Sequence, residues 1–393
     1  MVTLAQAPAH PVVPTLAQPP SPAGASGRRM PSLRYLGPNW YAPVMGTAIV
    51  ASAGAGLPVD VPGQRAAAVA IWALSATLLA VVLTARAGHW LLHRDQARAH
   101  LLDPAMAPFH GCPPMALLAV GGATLTVGRD VLGERAAVAV DAALFGIGTL
   151  LGLAVAVTIP YLLVVRHRVR PADVSPAWLL PVVAPMVSAA VGPLLVPYVP
   201  AGQGREALLL GCYALFGLSL LATLTMLPLI FGRLVLHGPP PLALTPLLFL
   251  VLGPLGQSVT AVGQLADAAP GAIGGPYARA LGAFAVVYGV PVTGFALLWL
   301  ALAAALAVRA ARRGMRFTMT WWAFTFPVGT CVTGAAGLAR HTGLVALEWT
   351  AAGLFALLLT AWAAAAYGTL RGLVSGALLA APPVRGPVTA RTR

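Results

Sequence analysis

The stretch RFTMTWWAFTFPVGT, residues 316–330, carries one charge at its leading arginine and then none. Trp321, Trp322, Phe324 and Phe326 crowd ahead of Pro327, and threonines recur at Thr318, Thr320, Thr325 and Thr330. A helix that only has to fill lipid has no use for a proline beside a phenylalanine near its middle. Proline removes a backbone donor and clashes with the turn before it. Whether this segment faces lipid or walls a passage decides the fold, and the rest of the chain supplies the context.

Of 393 residues, 59% are hydrophobic and 9% charged, against about 25% charged in soluble domains. Uncharged intervals of about 20 residues or more recur ten times, each long enough to cross about 30 Å of hydrocarbon. Lipid-exposed backbone must satisfy its own hydrogen bonds, so such segments read as helices and not barrel strands. Spans are expected near 40–57, 66–87, 112–128, 139–165, 177–198, 207–232, 242–265, 280–308, 317–338 and 347–371. The chain is therefore an all-α integral membrane protein, and its short connections pair consecutive helices as antiparallel hairpins. One transmembrane domain covers residues 35–372, between tails at 1–34 and 373–393. Residues 1–30 are rich in Ala and Pro and repeat TLAQ at 3–6 and 15–18. No charged start precedes an uninterrupted apolar run, which argues against a secretory signal. Both tails read as disordered and cytoplasmic.

The net charge of +14 raises nucleic acid as a partner, but its distribution argues otherwise. All 24 basic residues are arginine. With ten spans, Arg28, Arg29, Arg34, Arg86, Arg94, Arg98, Arg166, Arg168, Arg170, Arg233, Arg309, Arg312, Arg313, Arg316, Arg371, Arg385, Arg391 and Arg393 fall on one side. Only Arg65, Arg129, Arg135, Arg205, Arg279 and Arg340 fall on the other. That asymmetry is the positive-inside pattern, which places a multi-pass protein in the cell membrane with both termini cytoplasmic.

Proline divides the spans unevenly. Every odd span carries proline in or at the start of its apolar run: Pro43; Pro113 and Pro114; Pro181, Pro185, Pro193 and Pro197; Pro254; Pro327. Small and hydroxylic residues share the bias, as in Gly46, Thr47 and Ser52, or Gly256, Gln257, Ser258 and Thr260. A proline deep in a span is tolerable where protein or water lies alongside. An inner ring of odd helices within an outer ring of even ones follows. Ordinary kinked packing eased by small residues is the competing explanation.

Motifs of catalysis are missing from the sequence, and no cofactor is implied. His89 and His93 are four residues apart and could share a helix face as metal ligands. No carboxylate or thiol completes the set, and Arg86 on that face would repel a cation, so interfacial anchoring is the better reading. Cys112, Cys212 and Cys331 are scattered and suit packing. Asp141, Asp267 and Glu348 are expected as charges at the external ends of spans. No ionisable group is expected near mid-membrane, where cation-coupled transporters keep a carboxylate. A neutral passage lined by hydroxyls and backbone dipoles suits anions, and helix breaks add half-helix N-termini that can face them.

GPNWYAPVMGTAIVASAG (37–54), GPLGQSVTAVGQL (253–265) and RFTMTWWAFTFPVGT (316–330) resemble signature stretches of the tellurite-resistance/dicarboxylate transporter family. That family includes the bacterial TehA protein, yeast malate permeases and sulfite pumps, and the slow-type anion channels of plant guard cells. The likeness implies five helical hairpins around a central pore, quasi-fivefold with odd helices inside, in a homotrimer. It also implies that the phenylalanine before the ninth-span proline, here Phe326, occludes the pore, while Phe324 points about 200° away and packs outward. Pore gate Phe326 and Pro327, and candidate lining residues Gly46, Thr47, Pro254, Gln257, Ser258, Thr325 and Thr330, follow from these motifs. Arg34 and Arg316 stand where a cytoplasmic mouth would attract anions, although positive-inside topology explains them equally. The expected activity is transport of small anions and not catalysis. C4-dicarboxylates such as malate lead, and sulfite or inorganic-anion efflux is the alternative.

Overall fold

A computed structural model describes residues 33–59 and 61–379, so the tail expectations fall almost entirely outside the described residues. The described residues form helices and connections, with no strand among them. Helix α1 (Tyr41–Ala55) has 15 residues, of which 13 are buried. Nine further helices are each long and apolar enough to cross a membrane: α2 (Gln64–Leu92), α3 (Ala107–Leu132), α4 (Glu134–Val165), α5 (Pro176–Tyr198), α6 (Gln203–His237), α7 (Leu242–Gly271), α8 (Gly275–Arg312), α9 (Met319–Thr342) and α10 (Val345–Val374). A short amphipathic helix, Arg94–Leu102, joins α2 to α3.

The helices fall into two populations. In α3, α5, α7 and α9, between 67 and 94% of the most apolar window is buried inside the protein. In α2, α4, α6, α8 and α10 the share is 17 to 28%. Contacts explain the split. Consecutive helices pair as α1–α2, α3–α4, α5–α6, α7–α8 and α9–α10, and the odd members touch in a closed circuit α1–α3–α5–α7–α9–α1. Each even helix also leans on the next odd one, α4 on α5 and α10 on α1 among them. Exposed Leu150, Val157, Leu221 and Leu298 give the outer helices an apolar exterior.

Close contact between the inner helices depends on missing side chains. A Cβ on Gly256 of α7 would stand 2.5 Å from the Cys331 backbone nitrogen on α9. One on Gly329 of α9 would stand 2.5 Å from Cγ1 of Ile49 on α1. Where no hydrophobic force separates helix from lipid, backbone approach of this kind supplies the packing.

At the starts of the inner helices proline acts differently from the expectation that it frees a mid-span carbonyl, whereas Pro185 does lie inside the α-helical segment of α5. α7 opens as a 3-10 helix, Leu242–Val251, and becomes α-helical at Leu252. α9 is 3-10 over Met319–Phe324 and α-helical from Phe326. α3 and α5 have α-helical segments that begin at Cys112 and Leu179. Pro43, Pro113 and Pro114, Pro181, Pro254 and Pro327 all fall within the first three residues of such a segment. The first four N–H groups of a helix have no acceptor within it, so proline costs no hydrogen bond there. Prolines at these five helix starts begin the helices and do not bend them.

Candidate functional site

The five inner helices meet around a small void lined by Met45 of α1, Met115 of α3, Leu179, Leu180 and Val183 of α5, Leu250 and Gly253 of α7, and Phe326 and Pro327 of α9. No lining side chain is charged. Its free volume is about 10 Å3, room for a single water. The ring is closed at this level. Apart from Leu250, the lining residues belong to the first five positions of the α-helical segments, and no side chain caps any of the five.

Phe326 is 3% exposed and occupies the first helical position after Thr325. Thr325 is placed to cap that helix, yet its hydroxyl donates backwards to the Trp322 carbonyl at 2.7 Å. Phe324 turns the other way and meets Phe249 of α7 edge-on, with ring centroids 4.7 Å apart and planes at 88°.

The remaining lining candidates separate by partner, and most lie away from the axis. Gly46 faces α9, where a Cβ would collide with the Thr325 hydroxyl. Thr47 donates to the Pro43 carbonyl at 2.7 Å and accepts from Trp362 of α10 at 3.1 Å, so it faces an outer helix. Ser258 accepts from the Tyr288 hydroxyl of α8 at 2.8 Å and is likewise turned outward. Thr325 and Thr330 are fully buried, and Thr330 donates to the Pro327 carbonyl at 2.7 Å within the α7–α9 contact. These hydroxyls each have a hydrogen-bond partner within the fold. Pro254 is the third residue of the α-helical segment of α7 and follows Gly253, which lines the void, and Gln257 stands one turn beyond Gly253 with its Oε1 unpartnered.

Arg34 pairs with Asp95 of the short connecting helix. Arg316 is exposed just before α9. His89 is wholly buried, bonds the Leu33 carbonyl through Nδ1 at 2.8 Å and stacks on His100 at 5.5 Å. Arg86 donates to the Leu36 carbonyl at 2.6 Å. Together they tie the segment entering α1 to the end of α2. Burial holds the His100 imidazole low, at about 4, so it is neutral in this packing. Among the described residues no group of three His, Cys, Asp or Glu side chains could hold a metal ion.

Asp141 departs from its expected place at a helix end. α4 begins at Glu134, more than a turn earlier than the hydropathy suggests, and Asp141 is 0% exposed against Gly121 of α3. Neither carboxylate oxygen has a partner among the described residues. Glycine opposite aspartate on neighbouring helices was the available signal, but it needs the register between α3 and α4 to be read. Asp267, by contrast, sits near the C-terminal end of α7 and pairs with His341 of α9 at 3.2 Å.

Similarity to known proteins agrees with this architecture. The sulfite efflux pump SSU1 of Trichophyton rubrum is 29% identical over 313 residues, 77% of this chain and 82% of the relative. The corresponding SSU1 pump of Arthroderma otae is 28% identical over 320 residues, 79% and 84% of the two chains. An uncharacterized transporter of Methanocaldococcus jannaschii is 23% identical over 341 residues, 86% and 94% of the two chains. The voltage-dependent anion channel family, SLAC1, matches residues 35–370, nearly the whole helical region, and the chain belongs to that family of anion transporters.

Proposed function

We propose that the protein moves small oxyanions, sulfite foremost and in its singly charged hydrogensulfite form, through the axis of the inner ring, with Phe326 as the closing side chain. The observation that carries this reading is the void shared by all five inner helices, uncharged and lined by Phe326. Helix starts gathered around it offer partial positive charge to an anion without a fixed cation that would trap it. A dicarboxylate needs donors at both ends, best supplied by paired arginines, and the lining has none. The named activity of the fungal relatives, sulfite efflux, favours the sulfite alternative over malate. Both termini lie in the cytoplasm on this reading, Arg34 and Arg316 attract anions at the inner mouth, and three copies assemble through their outer helices. α1 with its 3-10 lead-in completes ten spans. The protein transports without converting its substrate chemically.

Counterflow from liposomes holding the purified protein tests the substrate. Sulfite should exchange fastest in a panel with nitrate, chloride, malate and succinate. Malate exchange without sulfite exchange would reverse the assignment.

A further inference from the structure

On the inner helices, buried polar atoms of His110, Gln257 and Trp321 have no partner among the described residues, and of these Gln257 stands one turn past a residue that lines the void. Gln257 lies four residues after Gly253, which lines the void, so it shares that helix face about 6 Å further along. Its neighbours point elsewhere: Gly256 packs on Thr330 and Cys331 of α9, and Ser258 bonds Tyr288 of α8. The Gln257 side chain is 4% exposed. Its Oε1 is buried without a partner, and its amide nitrogen has none among the described residues. An amide in this position costs stability that a methionine of similar size would not.

The same four-residue step from the other lining residues identifies what else stands at this level. Met45 leads to Ile49, Met115 to Ala119 and Val183 to Val187, all apolar. Phe326 leads to Thr330, whose hydroxyl is spent on the Pro327 carbonyl. Gln257 therefore supplies the free hydrogen-bonding group of the turn beyond the void.

We propose that the Gln257 carboxamide is an anion-binding subsite next to Phe326, selective for a small oxyanion that carries one hydroxyl, the hydrogensulfite class. The amide nitrogen donates to an anion oxygen, while Oε1 is an acceptor only and takes the hydroxyl proton. Chloride and nitrate carry no hydroxyl, so either would leave Oε1 unpaired. A fully deprotonated dianion would set a lone pair against it. Discrimination arises as much from what the amide rejects as from what it binds. This inference rests on the sulfite reading and adds the residue that chooses the anion.

The test measures sulfite and chloride flux in the same preparation of liposomes for wild type, Gln257→Met and Gln257→Asn. Losing one such hydrogen bond is expected to lower the sulfite-to-chloride ratio about tenfold in Gln257→Met. The shorter amide of Gln257→Asn should recover part of it, to about threefold below wild type. Each variant must elute as wild type does before its ratio is taken. If Gln257→Met does not reconstitute, Gln257→Asn decides the matter alone. A ratio within twofold of wild type overturns the subsite, whatever the absolute fluxes do. If wild-type vesicles carry chloride but no sulfite, the sulfite reading itself fails and the subsite falls with it.

Discussion

The inner and outer rings invert the rule of soluble proteins. Outer α2 has a mean hydropathy of 2.4 with 28% of its window buried, whereas inner α9 has 1.2 with 89% buried. The less apolar helix is the more hidden one. Lipid is itself an apolar solvent, so burying leucine inside the protein gains little, and the interior is filled by groups that lipid tolerates poorly. The inner helices accordingly collect glycine, hydroxyls, proline and broken helical geometry. The outer ones run unbroken for 29 to 38 residues. In a membrane protein, the irregular segments are the structural centre.

Replacing one side chain at the axis should expose that difference most strongly. Phe326→Ala is expected to raise anion flux from liposomes by a factor on the order of 10–100. A passage with room for a single water imposes a desolvation cost of several kcal/mol on an anion, and each 1.4 kcal/mol removed is about tenfold. Unchanged flux in a variant that elutes normally would mean that something other than this ring closes the protein.

Glycine offers the next contrast. Gly256→Ala forces a Cβ within 2.5 Å of the α9 backbone and should cost about 3 kcal/mol, read as a fall in melting temperature in detergent. Phe324→Ala should follow at about 2 kcal/mol, since it removes the edge-on contact with Phe249, and it should raise no flux. If Phe324→Ala opens the protein and Phe326→Ala only destabilises it, the register assigned to α9 is wrong.

Two smaller effects sharpen the boundary between rings. A small water-soluble thiol reagent should modify Gln257→Cys in a Phe326→Ala background and leave Ser258→Cys unmodified, because adjacent residues on one helix face the axis and α8 respectively. Equal labelling would remove the axial assignment of Gln257. On the outer ring, a Cβ added at Gly294 would meet nothing within 4 Å. Gly294→Ala should therefore shift stability by less than about 1 kcal/mol, in the favourable direction.

Length, apolar composition and the spacing of arginines determined by themselves that this chain is helical and crosses a membrane, because backbone in lipid has no other way to pair its polar groups. Proline placement separated inner from outer helices only by degree, since Pro160, Pro228 and Pro291 lie inside the outer helices α4, α6 and α8. The role of Pro327 was not legible, since the sequence reading made it a bend and the structure places it at the start of a helical segment. Helix limits were only partly legible. α4 runs back to Glu134 and encloses Asp141, which a hydropathy window cannot anticipate because the burial depends on Gly121 of another helix. The direction of each polar side chain lay beyond the sequence altogether. Thr47, Ser258 and Thr330 have the chemistry of a pore lining, yet Trp362, Tyr288 and the Pro327 carbonyl claim them. A rotation of one residue, about 100° around a helix, decides between the axis and a neighbour. That rotation is set by which helices touch, so only the tertiary structure could leave Gln257 buried with its Oε1 unspent.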